Sequence, residues 1–138
     1  MDEPESNAQP YARVLEMMAA DRASAALGIE LLEVGDGMAR CRMTVRPDMT
    51  NGYDIAHGGL VFTLADTAFA CACNSWGELT VAAGAEVSFV AAARRGDVLD
   101  ATAALRTRYG RHGIYDVTVR RGDEVVAEFR GRSHRPRS

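Results

Sequence analysis

The sequence predicts an α+β fold in which one long helix is buried against a curved antiparallel sheet, with a shorter helix at the N-terminus. Between Ile55 and Gly77 lie 23 residues, 14 of them apolar, and Asp66 is the only formally charged one with His counted neutral. A helix that is apolar nearly all round belongs in an interior. After it, Val81 to Val90, Val98 to Thr107, Gly113 to Arg120 and Glu124 to Ser133 read as strands separated by short turns, which makes them mostly antiparallel. Helical and extended segments are segregated along the chain, as in α+β architectures.

The elements follow in order. Tyr11 to Leu27 carry Val14, Leu15, Met17, Met18, Ala25 and Leu27 among good helix formers, and Gly28 is a stop signal, so one amphipathic helix is expected. Ile29 to Val34 and Met38 to Val45 flank the turn Gly35-Asp36-Gly37 and form a hairpin. Pro47 to Ala56, containing Asn51-Gly52, is loop-like and leads into His57-Gly58-Gly59. The apolar helix follows, and its central Asp66 and initial glycine pair argue against a membrane span. The later turns are Arg94-Arg95-Gly96-Asp97, Tyr109-Gly110-Arg111-His112 and Arg121-Gly122-Asp123.

A chain of 138 residues has room for one domain, 1–138, with 1–10 and 135–138 expected as flexible ends. All 16 cations are arginine, so no P-loop lysine and no Schiff-base lysine exists. A net charge of -3 argues against a nucleic-acid or membrane-surface partner. Residues 1–10 carry no basic start or apolar run of a secretory signal, and a cytoplasmic location is expected. Cys41, Cys71 and Cys73 lack metal-site spacing and His57, His112 and His134 are scattered, so no metal is expected. An all-round apolar helix packed on a sheet leaves its other face to be covered by the N-terminal helix or by a second copy of the chain. An oligomer is therefore expected.

Asp66 most needs explaining, because an ionised carboxylate in apolar surroundings is costly unless it is paired. It either caps a loop or meets an arginine, or it serves as a general base or nucleophile in a partly dry cleft. Gly58 and Gly59 supply a complement: glycines at a helix start let a ligand approach free backbone N–H groups where the helix favours negative charge. Such donors can stabilise an oxyanion. Asp66 lies eight residues beyond Gly58, about 12 Å along a helix. Two antiparallel helices across a dimer interface would bring the glycine end of one to the aspartate of the other.

Asn51-Gly52, His57-Gly58-Gly59, Leu64-Ala65-Asp66-Thr67-Ala68-Phe69-Ala70 and Cys73-Asn74-Ser75 together resemble the hotdog-fold acyl-CoA thioesterases, in particular the phenylacetic-acid-degradation subgroup. The likeness runs from Ala26-Leu27-Gly28-Ile29 through Gly113-Ile114-Tyr115-Asp116 to Phe129 and Arg135. It implies a sheet wrapped round the central helix, edge-to-edge dimers as the minimal active unit and homotetramers built from them. It further implies hydrolysis of aryl- or arylacetyl-CoA thioesters to free acid and CoA, in aromatic catabolism, without metal or redox cofactor. Asp66 would be the catalytic carboxylate, Gly58 the oxyanion donor from the partner subunit, and Asn51 and His57 would line the site. Gly59, Tyr53, Thr67, Arg94 and Arg95 are the candidate substrate-binding residues. Arg94 and Arg95 stand for phosphate recognition, and Thr67 for a hydroxyl that relatives carry in the strand after the helix, where this chain has Val81-Ala82-Ala83-Gly84-Ala85. Phe89-Val90-Ala91 also departs from an Arg-Pro that many relatives carry after the strand aromatic. The alternatives on the same fold are an acyl-CoA hydratase or dehydratase, with His57 as partner of the carboxylate, and a non-catalytic acyl-CoA-binding sensor.

Overall fold

The computed structural model describes residues 11–137. The expected flexible segment 1–10 and Ser138 lie outside the described residues. The predicted single N-terminal helix is two: α1 spans Ala12–Ala20 and α2 Arg22–Ala26. Asp21 breaks it. Its backbone is extended, and its carboxylate accepts from the Ser24 N–H at 2.9 Å and the Ser24 hydroxyl at 2.7 Å. Aspartate competes in this way with helix continuation and caps the following turn instead.

Strands β1 (Glu30–Gly35) and β2 (Met38–Thr44) form the expected hairpin. Gly37 adopts φ +71°, and a Cβ there would sit 2.9 Å from Trp76, so only glycine fits this tip. A 3₁₀ turn, Pro47–Met49, precedes the loop to α3, Gly58–Cys73. This helix is shorter than the apolar run because the Asn74 amide closes it: Nδ2 donates to the carbonyls of Ala70 and Thr80, and Oδ1 accepts from the Thr80 N–H. Strands β3 (Val81–Phe89), β4 (Val98–Tyr109), β5 (His112–Arg121) and β6 (Glu124–His134) stand within one or two residues of their predicted bounds. Arg135 and Pro136, expected to fray, are held by the Arg111 guanidinium, whose Nε and Nη2 donate to their carbonyls at 3.1 and 3.0 Å.

All pairings are antiparallel, in the order β1-β2-β4-β5-β6-β3. Successive strands β3 and β4 are not neighbours. β3 lies at the edge beside β6, and residues 90–97 run back across the mouth of the sheet to β4. The inner faces of β2, β4 and β5 alternate cleanly, burying Ala39, Cys41, Leu99, Ala101, Val117 and Val119. Small side chains there let α3 lie close against the sheet. Phe69 fills the deepest part, with its ring centroid 5.7 Å from Tyr115 and 5.8 Å from Phe129.

The ring of Phe69 occupies the space above Gly131, where a Cβ would lie 2.7 Å from Cζ. Neither group can retreat in a close-packed interior. Gly131→Ala is therefore expected to destabilise the fold by about 1–3 kcal/mol through overpacking, read as a lowered midpoint in urea denaturation with an unchanged slope.

Candidate active site

The loop before α3 is built by its own side chains. Asn51 Oδ1 accepts from the N–H groups of Tyr53 at 2.9 Å and Ile55 at 3.4 Å, while the Asn51 N–H donates to the Ile55 carbonyl at 2.8 Å. This tight closure carries Asp54 at φ +63°, a conformation that aspartate tolerates better than most residues. The Asn51 carbonyl oxygen is thus spent on the loop, and only its amide Nδ2 is left for a ligand. His57 caps the helix: its Nδ1 accepts from the Gly59 N–H at 3.0 Å, so Nε2 carries the ring proton. Its carbonyl accepts from Leu60 and Val61.

This capping leaves one donor. Of the first-turn N–H groups, that of Gly58 alone has no acceptor among the described residues. Gly58 lines a cavity of about 340 Å³ with Asn51, Ile55, Val61, Phe89 and Val126. Phe89, which no sequence pattern singled out, lies so close that a Cβ on Gly58 would be 2.9 Å from its Cζ. The cavity is apolar apart from the loop amide and the helix N-terminus, so an apolar group bound there would meet the Gly58 N–H at its rim.

Asp66 sits half-buried midway along α3, on a stripe of partly open residues with Gly59, Phe62, Thr63 and Ala70. The sheet covers this side only in part, with Phe62 packed edge-on against Phe129 of β6 at 5.3 Å between ring centroids. Among the described residues no arginine and no hydrogen-bond donor meets its carboxylate, so of the two alternatives for Asp66 the structural one, a loop cap or an arginine pair, is not met. Burial alone pushes its pKa above the usual carboxylate range. Asp66 and Gly58 are separated by two turns of one helix, and a single chain does not bring them to one carbonyl.

The remaining candidates divide. Thr67 is not at the open face: it is buried, and its Oγ1 lies 3.0 Å from Ser24 Oγ. Because the Ser24 hydroxyl already donates to Asp21, Thr67 donates to Ser24 and fastens α2 to α3. One residue along a helix turns the side chain by about 100°, which carries Thr67 away from the side of Asp66. Gly59 is exposed, with its N–H taken by His57, so its part is to let the cap form. Tyr53 is 86% exposed and packs on nothing. Arg95 pairs with Asp54 at 3.1 Å and ties the two loops together, whereas Arg94 is exposed. No helix among the described residues is long and apolar enough to cross a membrane.

Residues 53–128 match the family model described as the thioesterase superfamily. The acyl-coenzyme A thioesterase PaaI of Escherichia coli K12 is 44% identical over 116 residues, covering 83% of each chain. A solved structure of the E. coli PaaI protein from the phenylacetic acid degradation operon superposes with a TM-score of 0.90 at 39% identity over 94% of both chains. A mutant of the phenylacetic acid degradation protein PaaI from Thermus thermophilus superposes with a TM-score of 0.82 at 32% identity, over 84% of this chain and all of that one. The sheet wrapped about α3 is the hotdog fold, and the chain belongs to the thioesterase superfamily.

Proposed function

We propose that this protein hydrolyses aryl- and arylacetyl-CoA thioesters to the free acid and CoA, as part of aromatic catabolism in the cytoplasm. The observation that carries the proposal is Asp66: a half-buried carboxylate with no partner among the described residues, held on the partly open side of an apolar helix. The PaaI relatives, an acyl-coenzyme A thioesterase and a protein of a phenylacetic acid degradation operon, support the choice of substrate class.

The active unit is a homodimer, two of which form a tetramer. Two α3 helices lying antiparallel bring the Gly58 N–H of one subunit toward Asp66 of the other. Asp66 takes a proton from water, the water oxygen adds to the thioester carbon, and the Gly58 N–H holds the resulting oxyanion. Collapse breaks the C–S bond, and the thiolate leaves with a proton as CoA. In the nucleophilic variant the Asp66 carboxylate itself adds to the carbon, the C–S bond breaks to release the CoA thiolate, which takes up a proton, and water opens the resulting anhydride to the free acid and the restored carboxylate. Both routes use the chain's own groups and water, without metal or redox cofactor. The Nδ1 of His57 is spent on the helix cap, which disfavours it as the proton carrier of a hydratase.

Asp66→Asn is expected to lower kcat for phenylacetyl-CoA by about a hundredfold or more, followed by free-thiol release; unchanged turnover would sink the mechanism. Proline is tolerated at the first helical position but lacks the N–H, and Gly58→Ala brings a similar Cβ toward Phe89. Gly58→Pro should therefore turn over about a hundredfold more slowly than Gly58→Ala, and equal rates would remove Gly58 as donor.

Burial favours the protonated form of Asp66, so the folded chain keeps this proton to higher pH than the unfolded chain does. Stability from this group is thus lost as pH rises from the ordinary carboxylate range through its raised value. Asp66→Asn should melt higher than the wild type near pH 7, with the difference shrinking as the pH is lowered through that range. The ionised form does the chemistry, so kcat should fall as the pH is lowered, with a midpoint above that of an ordinary carboxylate.

A further inference from the structure

One wall of the cavity at the start of α3 is main chain carrying only methyl groups. Where residues 90–97 cross the mouth of the sheet, Ala91, Ala92 and Ala93 line it, and of the three only Ala93 is buried. A methyl group makes few contacts, so packing does little to hold this segment and its backbone hydrogen bonds must. The N–H groups of Val90 and Ala91 donate to the Val126 carbonyl at 2.8 and 3.2 Å, and the Ala93 carbonyl accepts from the Ala56 N–H at 2.8 Å. Between these fixed points, the Ala92 carbonyl accepts from one group among the described residues, Arg121 Nη1 at 3.1 Å.

Arg121 is the last residue of β5 and lines no part of the cavity. Its Nη1 also donates to Asp97 at 2.7 Å and its Nη2 donates to Glu124. Asp97 accepts in addition from the Arg94 N–H at 2.8 Å. That N–H and the Arg121 guanidinium hold the Asp97 carboxyl below the usual carboxylate range, so it stays ionised as the anchor of the turn. One guanidinium, oriented by two carboxylates, thus reaches both the end of the 90–97 segment and its middle. An ion pair needs only Asp97 and Glu124; the further donation to a backbone carbonyl in the cavity wall uses the planar fork that arginine alone provides. On the opposite side Arg95 joins the same segment to Asp54 of the Asn51 loop at 3.1 Å.

We propose that Arg121 is a positioning residue that sets the width of this cavity by holding the 90–97 segment, and so selects the acyl group of the thioester by bulk, with Ala91 the part of the wall that the acyl group meets. The proposal rests on the hydrolase reading above. A wall fixed in advance favours a group that fills the cavity, because no ordering of the segment is left to be done on binding. An acyl group that ends at its first methyl has nothing with which to reach that wall. Selection between bulky and small thioesters therefore depends on Arg121, although it touches neither.

The experiment compares kcat/KM for phenylacetyl-CoA with kcat/KM for acetyl-CoA. Arg121→Ala and Ala91→Leu are each expected to reduce this ratio about tenfold, the first by freeing the wall and the second by filling the space before it. A merely structural loss lowers turnover of both substrates alike and leaves the ratio unmoved. An unchanged ratio in either variant overturns the proposal: in Arg121→Ala it leaves the ion pairs as that residue's whole part, and in Ala91→Leu it means that the acyl group does not meet this wall. Should Arg121→Ala fail to fold, Arg121→Lys takes its place, since an ammonium keeps the charge beside Asp97 and Glu124 but lacks the fork that also reaches Ala92; a wild-type ratio there overturns the proposal equally. If the wild type hydrolyses neither thioester, the hydrolase reading falls. Calorimetric titration with phenylacetate then decides the wall alone: affinity lost in both variants upholds it, and wild-type affinity in either refutes it.

Discussion

The exclusion of α3 from water is the constraint from which the other features follow. A sixteen-residue helix that buries Val61, Leu64, Ala65, Ala68, Phe69, Cys71 and Ala72 is apolar over most of its surface, so the sheet curls around it and leaves only the stripe of Gly59, Thr63 and Asp66 partly open. The inner faces of β2 and β4 answer with alanine and cysteine, which bring the strands close, while Phe69 takes up the space that Gly131 leaves open. The ends of the helix are where polar chemistry re-enters. At one end His57, through its Nδ1 and its carbonyl, satisfies all but one of the first-turn donors. At the other, Asn74 and Ser75 close the carbonyls and bind the helix to β3 and to the first hairpin through Thr80 and Gly37.

Within that apolar cylinder a lone carboxylate is a stability cost that asparagine would avoid, and the structure does nothing to offset it. Asp66 meets neither a guanidinium nor a hydroxyl among the described residues. Thr67, one step along the chain, shows how readily the same helix satisfies a polar group when the purpose is architectural, through the Asp21–Ser24–Thr67 relay. The contrast between these neighbours separates a residue kept for packing from one kept for reactivity more clearly than the burial of either.

Much of this was legible from local pattern. The six strands, the central helix and the glycine helix start were set by periodicity and turn residues, which act over a few positions. What was not legible depends on groups far apart in sequence. The pairing of β3 with β6 rather than β4 has no local signature, since edge and central strands alternate alike. The break at Asp21 is local, yet it required weighing one side-chain cap against an otherwise continuous helical pattern. Thr67 was misplaced because a hydroxyl beside Asp66 in sequence points elsewhere on a helix. Arg95 and Arg121 are both turn arginines, and only Asp54 beside one and the Ala92 carbonyl before the other tell them apart.

The placement of β3 also bears on how the chain reaches this structure. β3 follows α3 directly, but its only partner in the sheet is β6, with Phe89 opposite Ala127 and Val81 opposite His134. Loop closure over such separations comes late, because its entropy must be overcome before any contact rewards it. During synthesis the helix emerges well before the strand that completes its cover, and β3 has a free edge on both sides until then. The β2 hairpin can shelter one side of the apolar helix from the start, while the side around Phe69 waits for Tyr115 and Phe129. Assembly depends on the arrival of β6, whose inward Gly131 must pass beneath the ring of Phe69 to seat.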